Sequence, residues 1–134
     1  MSEASRDEII RRYLVVYETL RRQYEEIYGA LIALQTAKSL LQRLASARGK
    51  EIRFPIGAGA YLKAKLLEEN KVLVDMGSGV SVEVSDEEAI KIFDEEIKKA
   101  QEILDKLEAS LASIQQKIYE IVAAKEEKKE EKKE

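Results

Sequence analysis

Cysteine and histidine are both absent from this chain of 134 residues. Without them there is no thiolate or imidazole for catalysis, no disulfide and no set of the usual zinc ligands. Tryptophan is absent as well, proline occurs once, and aromatic residues make up only 6% of the chain. We therefore expect a protein that is not an enzyme and that holds no metal or cofactor.

Long apolar runs are also missing. No run exceeds five residues, so we expect no membrane span, and because nothing resembles a signal peptide we expect a cytoplasmic protein. The net charge of −3 provides no general attraction to nucleic acid or to an anionic membrane. What is abundant is charge, at 37% of residues, and this composition is typical of long helices.

Residues 7–48 have the spacing of a coiled-coil helix. Ten of the eleven positions in a 3-4 repeat from Ile10 to Ala45 are apolar, and Lys38 is the exception. Such a repeat predicts a contact stripe against a second helix. Gly49 is a plausible stop for this helix.

Residues 86–124 have the same spacing, with all ten seam positions from Ile90 to Ile121 apolar. The segment Ser85-Asp-Glu-Glu88 matches the capping box that starts a helix. We expect the two helices to fold back on each other as an antiparallel coiled coil, with facing residue numbers that add up to about 134. The chain ends would then lie together, away from the middle of the sequence.

Residues 52–84 predict two β-hairpins, because apolar and polar side chains alternate with a period of two. Gly57 to Gly59 and Gly77 to Gly79 are read as turn glycines, since neither pair completes a phosphate-binding motif. Glu69-Asn70 supplies further turn residues, and Pro55 belongs at an edge or bulge. Four short strands leave open edges, so we expect an obligate oligomer built through the strands. The expected oligomerisation residues are Ile52, Phe54, Ile56, Leu62, Leu66, Val72, Val74, Val80, Val82 and Val84.

The tail, 125–134, contains five lysines and five glutamates. It could continue as a solvated helix or be disordered, and its role is either solubility or docking.

Apolar residues at the open end of the predicted coiled coil extend beyond the seam. Val15 falls where a solvated helix would place a charged residue, and Tyr119 and Val122 lie beside the opposing seam. One interpretation is a frayed end or a contact with a neighbouring subunit, and the other is an exposed patch that binds other chains. For the second interpretation, the candidate binding residues are Ile9, Ile10, Tyr13, Leu14, Val15, Val16, Tyr17, Ile118, Tyr119 and Val122.

Two segments of the hairpin region carry a family resemblance, namely Phe54-Pro-Ile-Gly-Ala-Gly-Ala-Tyr-Leu-Lys-Ala-Lys-Leu66 and Val74-Asp-Met-Gly-Ser-Gly-Val-Ser-Val-Glu-Val-Ser-Asp-Glu-Glu-Ala89. The resemblance is to the hairpin region of archaeal prefoldin α-class subunits. It implies an α+β fold in which a long antiparallel two-helix coiled coil carries a central two-hairpin insert that oligomerises into a β-barrel. The whole chain, 1–134, would then be a single domain.

The same resemblance implies a function and partners. The expected complex is a hetero-hexamer of two α and four β-class subunits, whose tips hold unfolded client proteins without ATP and pass them to a group II chaperonin. The family's client-contacting regions fall on Ile9 to Tyr17 and Ile118 to Val122. The alternatives are a self-assembling prefoldin-like filament or scaffold, and a coiled-coil tether without client binding.

Overall fold

The structure is a computed structural model that describes residues 2–133, except for the side chains of Lys125 and residues 128–133. The order of elements is helix, two hairpins, helix: α1 (Glu3–Ala45), β1 (Glu51–Gly57), β2 (Ala60–Lys65), β3 (Val72–Asp75), β4 (Ser81–Val84) and α2 (Asp86–Lys133). This architecture confirms the predicted fold class. Assembly into a barrel stays a prediction.

Helix α1 begins four residues before the predicted start at Asp7. The cause is Ser2, whose hydroxyl accepts a hydrogen bond from the backbone N–H of Ser5 at 3.2 Å and so caps the first turn. The helix ends at Ala45, three residues before the predicted end. A turn then leads to Gly49, which has φ of +78° and donates its N–H to the carbonyl of Leu66 at 2.8 Å.

The four strands form two separate antiparallel hairpins, β1–β2 and β3–β4. The register of the first shifts between Pro55 and Gly57, so the proline lies beside a bulge. The turns contain Gly57–Gly59 and Gly77–Gly79, where every residue has positive φ, including Ala58 and Ser78. Glu69 and Asn70, which the sequence suggested as further turn residues, do not have positive φ.

Helix α2 starts at Asp86, as the capping box predicts, and the hydroxyl of Ser85 accepts a hydrogen bond from the N–H of Glu88 at 3.1 Å. The helix continues to Lys133, through most of the segment 125–134 that we separated as a charged tail. Glu134 and most of the tail's side chains lie outside the described residues, so the role of the tail stays a prediction.

The chain divides into two units. The first contains α1 up to Leu31 and α2 from Lys99 onward, and within it every seam position from Ile10 to Leu31 and from Ala100 to Ile121 is buried or half-buried. Cross-helix hydrogen bonds join residues whose numbers add up to 132, namely 17 with 115 and 24 with 108. These pairs match the predicted antiparallel register to within one turn.

The second unit, Ile32–Lys98, contains the hairpins and the helical segments beside them. Its seam positions, Leu34 to Ala45 and Ile90 to Ile97, are also buried or half-buried. Lys38, the one polar residue in the predicted seam, pairs with the carboxylate of Asp94 at 2.5 Å. The interruption of the apolar pattern is therefore a cross-helix ion pair.

Candidate functional site

The residues predicted to bind other chains fall into two classes in the first unit. Those in the seam are half-buried, namely Ile10, Tyr13, Tyr17 and Ile118, and so is Ile9 beside the seam. Those outside the seam are exposed: Leu14, Val15, Val16, Tyr119 and Val122. Val15 and Tyr119 expose 67% and 69% of their surfaces; single exposed apolar side chains are common, so the informative feature is their grouping with other exposed apolar residues.

An open apolar groove of about 410 Å³ lies in this unit. It is lined by Leu14, Tyr17, Gln115, Ile118, Tyr119 and Val122. Five of these residues belong to the predicted set, so the structure brings together side chains that are about a hundred positions apart in the sequence. Val15 and Val16 extend the exposed apolar surface but do not line the groove. We use the name apolar tip for the groove together with the five exposed residues Leu14, Val15, Val16, Tyr119 and Val122.

Gln115 is the groove residue that sequence reasoning missed. Its amide nitrogen donates a hydrogen bond to the hydroxyl of Tyr17 at 3.1 Å, which joins α2 to α1 across the groove. A glutamine between two seam positions of a charged helix has no distinctive sequence signal. Nearby, the ammonium of Lys117 lies 5.9 Å from the ring centre of Tyr13, a cation–π contact that also crosses between the helices.

The predicted oligomerisation residues occupy one face of each hairpin. Directly opposite residues share a face, and Phe54 pairs with Leu62 while Val74 pairs with Val82. Phe54, Ile56, Leu62, Val80 and Val82 are exposed, whereas Ile52, Leu66, Val72, Val74 and Val84 are half-buried. Leu66 and Val80 lie just outside the strands, although the backbone N–H of Leu66 still bonds to the carbonyl of Lys50 at 3.1 Å.

A polar cluster at the base of the hairpins was not predicted. The guanidinium of Arg48 forms a two-pronged ion pair with Asp86, with Nε 2.7 Å from Oδ2. The same guanidinium donates to the carbonyls of Lys71 at 3.1 Å and Leu67 at 3.4 Å. Arg48 thus connects the end of α1, the segment between the hairpins and the start of α2.

Asn70 completes this cluster. Its side-chain oxygen accepts the N–H of Asp86 at 2.7 Å, and its amide donates to the carboxylate of Glu87 at 3.0 Å. Asp86 is only 5% exposed, and its hydrogen bond with Arg48 holds the pKa of the carboxyl below its ordinary value. The amide of Asn70 likewise lowers the pKa of Glu87.

Among the described residues no group of three or more acidic side chains is placed to hold a metal ion. Neither α1 nor α2, over the part of the chain that the structure describes, contains an apolar stretch sufficient to span a lipid bilayer. The apolar side chains of the tip and several of those on the hairpin faces are exposed in this chain.

A comparison with models of protein families shows to which family the chain belongs. The model described as prefoldin subunit matches residues 13–131, which include both helices and both hairpins. The chain belongs to the prefoldin family. This confirms the resemblance seen in the hairpin sequence, and it makes the chain a chaperone-type subunit of a family that forms oligomeric complexes.

Similar prefoldins come from archaea. The prefoldin subunit alpha of Pyrococcus horikoshii is 32% identical over 112 residues, covering 82% of this chain and 76% of that protein. The prefoldin subunit alpha 2 of Methanocaldococcus jannaschii is 30% identical over 126 residues, covering 93% and 86%. Among solved structures, the cryo-EM structure of filamentous PFD from the same organism matches with a TM-score of 0.70 and 29% identity, covering 88% of this chain and 98% of that one.

Proposed function

We propose that this prefoldin subunit is an ATP-independent holdase that binds unfolded proteins at its apolar tip. The observation that carries the proposal is the groove lined by Leu14, Tyr119 and Val122 together with the exposed Val15 and Val16 beside it. An exposed apolar surface on a helical pair with charged residues around it is typical of a site that binds other chains.

The groove suits clients that share apolar surface and little else. It is open, and its lining contains one amide and two phenols but no charge, so it imposes few polar requirements on a bound segment. A single groove of this kind binds weakly. Several copies in one complex would bind the same unfolded chain together, so the effective affinity would rise without a change at any one site.

The proposed complex contains two copies of this α-class subunit and four β-class subunits, assembled through the hairpins. The exposed apolar faces around Phe54, Leu62 and Val82 support this part of the proposal, since they leave strand surface uncovered in the single chain. In this proposal the complex works in the cytoplasm and passes its clients to a group II chaperonin.

The test is suppression of aggregation by the complex of this chain with a β-class subunit. The variant L14S/V15S/Y119S/V122S removes exposed apolar surface and leaves the half-buried seam residues unchanged. We expect it to assemble normally and to lose most of the suppression of aggregation of a chemically denatured enzyme. The control is I32S/L40S, which replaces two exposed apolar residues of α1 outside the tip and should retain the activity.

Full suppression by the assembled tip variant would overturn the holdase proposal. Absence of suppression in the wild-type complex would favour the tether, in which the coiled coil serves only as a connector.

A second candidate function is a filament or scaffold. It is favoured by the match to filamentous PFD, which extends over nearly the whole of that chain. Sizing the purified chain with and without a β-class subunit separates the two functions. Large open-ended assemblies that persist in the presence of the β-class subunit would support the filament and count against the hexamer.

A further inference from the structure

The first hairpin has a face that contains none of the predicted oligomerisation residues. Alternate side chains of a strand point to opposite faces of its sheet, and directly opposite residues of two paired strands share a face. Phe54 and Leu62, which face each other, mark the apolar face. The other face, which we call the basic face, consists of the facing pairs Glu51–Lys65, Arg53–Lys63 and Pro55–Tyr61.

The basic face has a local charge opposite in sign to that of the whole chain. Three cations against one carboxylate give it a net charge of +2, whereas the chain has a net charge of −3. All six residues of the face are exposed. Because Glu51 lies across from Lys65, the excess positive charge lies on the middle pair, Arg53 and Lys63.

This middle pair has no counter-charge among the residues that the structure describes. Arg53 and Lys63 are like charges directly across a strand pair, an arrangement that destabilises a hairpin. No ion pair of the described residues involves either of them. An anion bound between the two cations would offset their repulsion, so the pair favours an anionic ligand.

An exposed aromatic ring lies next to the cations on the same face. Tyr61 faces Pro55 across the strands and exposes 61% of its surface. Neighbouring pairs on one face are two residues apart, which is about 7 Å along the strands, and side chains on one side of an extended peptide recur at the same interval. A peptide that runs along the hairpin can therefore place a carboxylate against the cations and an apolar side chain against Tyr61.

We propose that the basic face binds an extended acidic segment of another protein. A carboxylate of the segment lies between Arg53 and Lys63, and an aromatic or other apolar side chain two positions away packs on Tyr61. The basic face is opposite the apolar face through which the subunits are expected to assemble, so it stays accessible in the proposed complex. The inference goes beyond the proposed holdase function, because this partner binds at the hairpins and not at the apolar tip.

A nucleic acid suits the basic face less well than an acidic segment does. Proteins that bind nucleic acid through its backbone neutralise many phosphates with a basic patch or stripe. Here only Arg53 and Lys63 lack a counter-charge, and the chain as a whole is acidic. A few carboxylates in a short segment are enough to match such a pair.

The test measures binding of a labelled peptide to the assembled complex of this chain with a β-class subunit, by fluorescence anisotropy. In the probe peptide, glutamate alternates with serine on both sides of a single phenylalanine. We expect it to bind at about 0.05 M NaCl and to bind about tenfold or more weakly at about 0.5 M NaCl, because salt screens exposed charges. The same peptide with glutamine in place of every glutamate should not bind.

The variant R53Q/K63Q removes both cations of the middle pair and should weaken binding of the probe peptide about tenfold or more at low salt. Its matched control is K98Q/K106Q, which removes the same charge from exposed positions of α2 and should bind the probe like the wild type. The tip variant that tests the holdase activity should also bind the probe like the wild type.

The contact with Tyr61 has a test of its own. Tyr61→Ser should weaken binding of the probe peptide about threefold, since an exposed aromatic contact contributes modestly. It should not weaken binding of a second peptide that has serine in place of the phenylalanine. Equal weakening of the two peptides would overturn the proposed contact between the apolar side chain and Tyr61.

Unchanged affinity of the probe peptide for R53Q/K63Q would overturn the proposal, and so would equally tight binding of the glutamine peptide. A single-stranded oligonucleotide that binds the wild type more tightly than the probe does, and that R53Q/K63Q fails to bind, would overturn it in favour of nucleic acid. Failure of R53Q/K63Q to assemble would overturn it by making the basic face a subunit interface. Assembled R53Q/K63Q should still suppress aggregation, so failure of this inference is distinguishable from failure of the proposed function.

Discussion

Asp86 is the residue on which the base of the hairpins depends most. Its carboxylate is nearly buried and is held by Arg48, which also bonds to two carbonyls between the hairpins. The pair thereby connects the end of α1 and the segment between the hairpins to the start of α2. A buried pair of this kind need not add net stability over an apolar pair, but removal of one partner is costly.

We predict that Asp86→Ala lowers the free energy of unfolding by about 3 kcal/mol, because it leaves the guanidinium of Arg48 without its counter-charge. Urea unfolding of the chain would measure this change. Asp94→Ala is the matched control: it removes the partner of Lys38, but Asp94 is exposed and Lys38 is only half-buried, so the loss should stay below about 1 kcal/mol. Equal losses in the two variants would contradict the structural role of Asp86.

Substitution by alanine should have opposite effects on stability at Gly29 and at Gly49. Gly29 lies within α1, and a Cβ added there meets nothing within 4 Å. Gly49 has φ of +78°, and a Cβ there would lie 2.7 Å from Cγ of Glu68. We predict that Gly29→Ala raises the free energy of unfolding by about 1 kcal/mol, whereas Gly49→Ala lowers it by about 1 to 2 kcal/mol. A loss of stability in Gly29→Ala would show that this position needs a glycine for contact or bending.

At the scale of elements, sequence periodicity predicted the helices well and their ends less well. Every predicted seam position is buried or half-buried. A 3-4 repeat places its apolar residues in one stripe along the helix, and packing against a second helix buries that stripe. The start of α1 was missed because Ser2 caps it from a segment without periodic apolar residues. The sequence prediction ended α2 at residue 124, although the helix continues to Lys133, because the charged segment that follows contains no periodic apolar residues.

The hairpin base was not predictable from sequence for a different reason. Arg48, Asn70 and Asp86 are separated by about twenty positions each, and each is a common surface residue type. Only the fold brings them together. The tip was more accessible to sequence reasoning, because Val15 and Tyr119 break the polar pattern of their helices, whereas Gln115 breaks no pattern.

The hairpin base should also respond to acid. The pKa of Asp86 is lowered in the folded chain by Arg48, so its contribution to stability is fully present above the ordinary Asp pKa of about 3.9 and is lost as pH falls through the lower folded value. Glu87, whose pKa is also lowered, acts with the same sign. We predict that the stability difference between wild type and Asp86→Ala is large at neutral pH and shrinks below about pH 4. A difference that is constant from neutral to strongly acidic pH would contradict the coupling to Arg48.

At the scale of the whole molecule, the proposed function assigns different roles to two kinds of surface. The hairpins offer exposed apolar side chains and, as two separate two-stranded sheets, free strand edges, which suit assembly with other folded chains. The apolar tip offers an open groove without charge, which suits segments that have no fixed structure. Under the proposed function one chain needs both, because a subunit that holds clients through weak contacts requires several copies of the tip in one complex.

The central claim is that clients bind at the apolar tip, and site-specific photo-crosslinking tests it most directly. A photoreactive residue in place of Tyr119, in the groove, is compared with one in place of Ile32, an exposed apolar residue of α1 outside it. With the assembled complex and a denatured, labelled client, we predict strong crosslinking from position 119 and little from position 32. Equal crosslinking from both positions, or none from position 119, would contradict the claim.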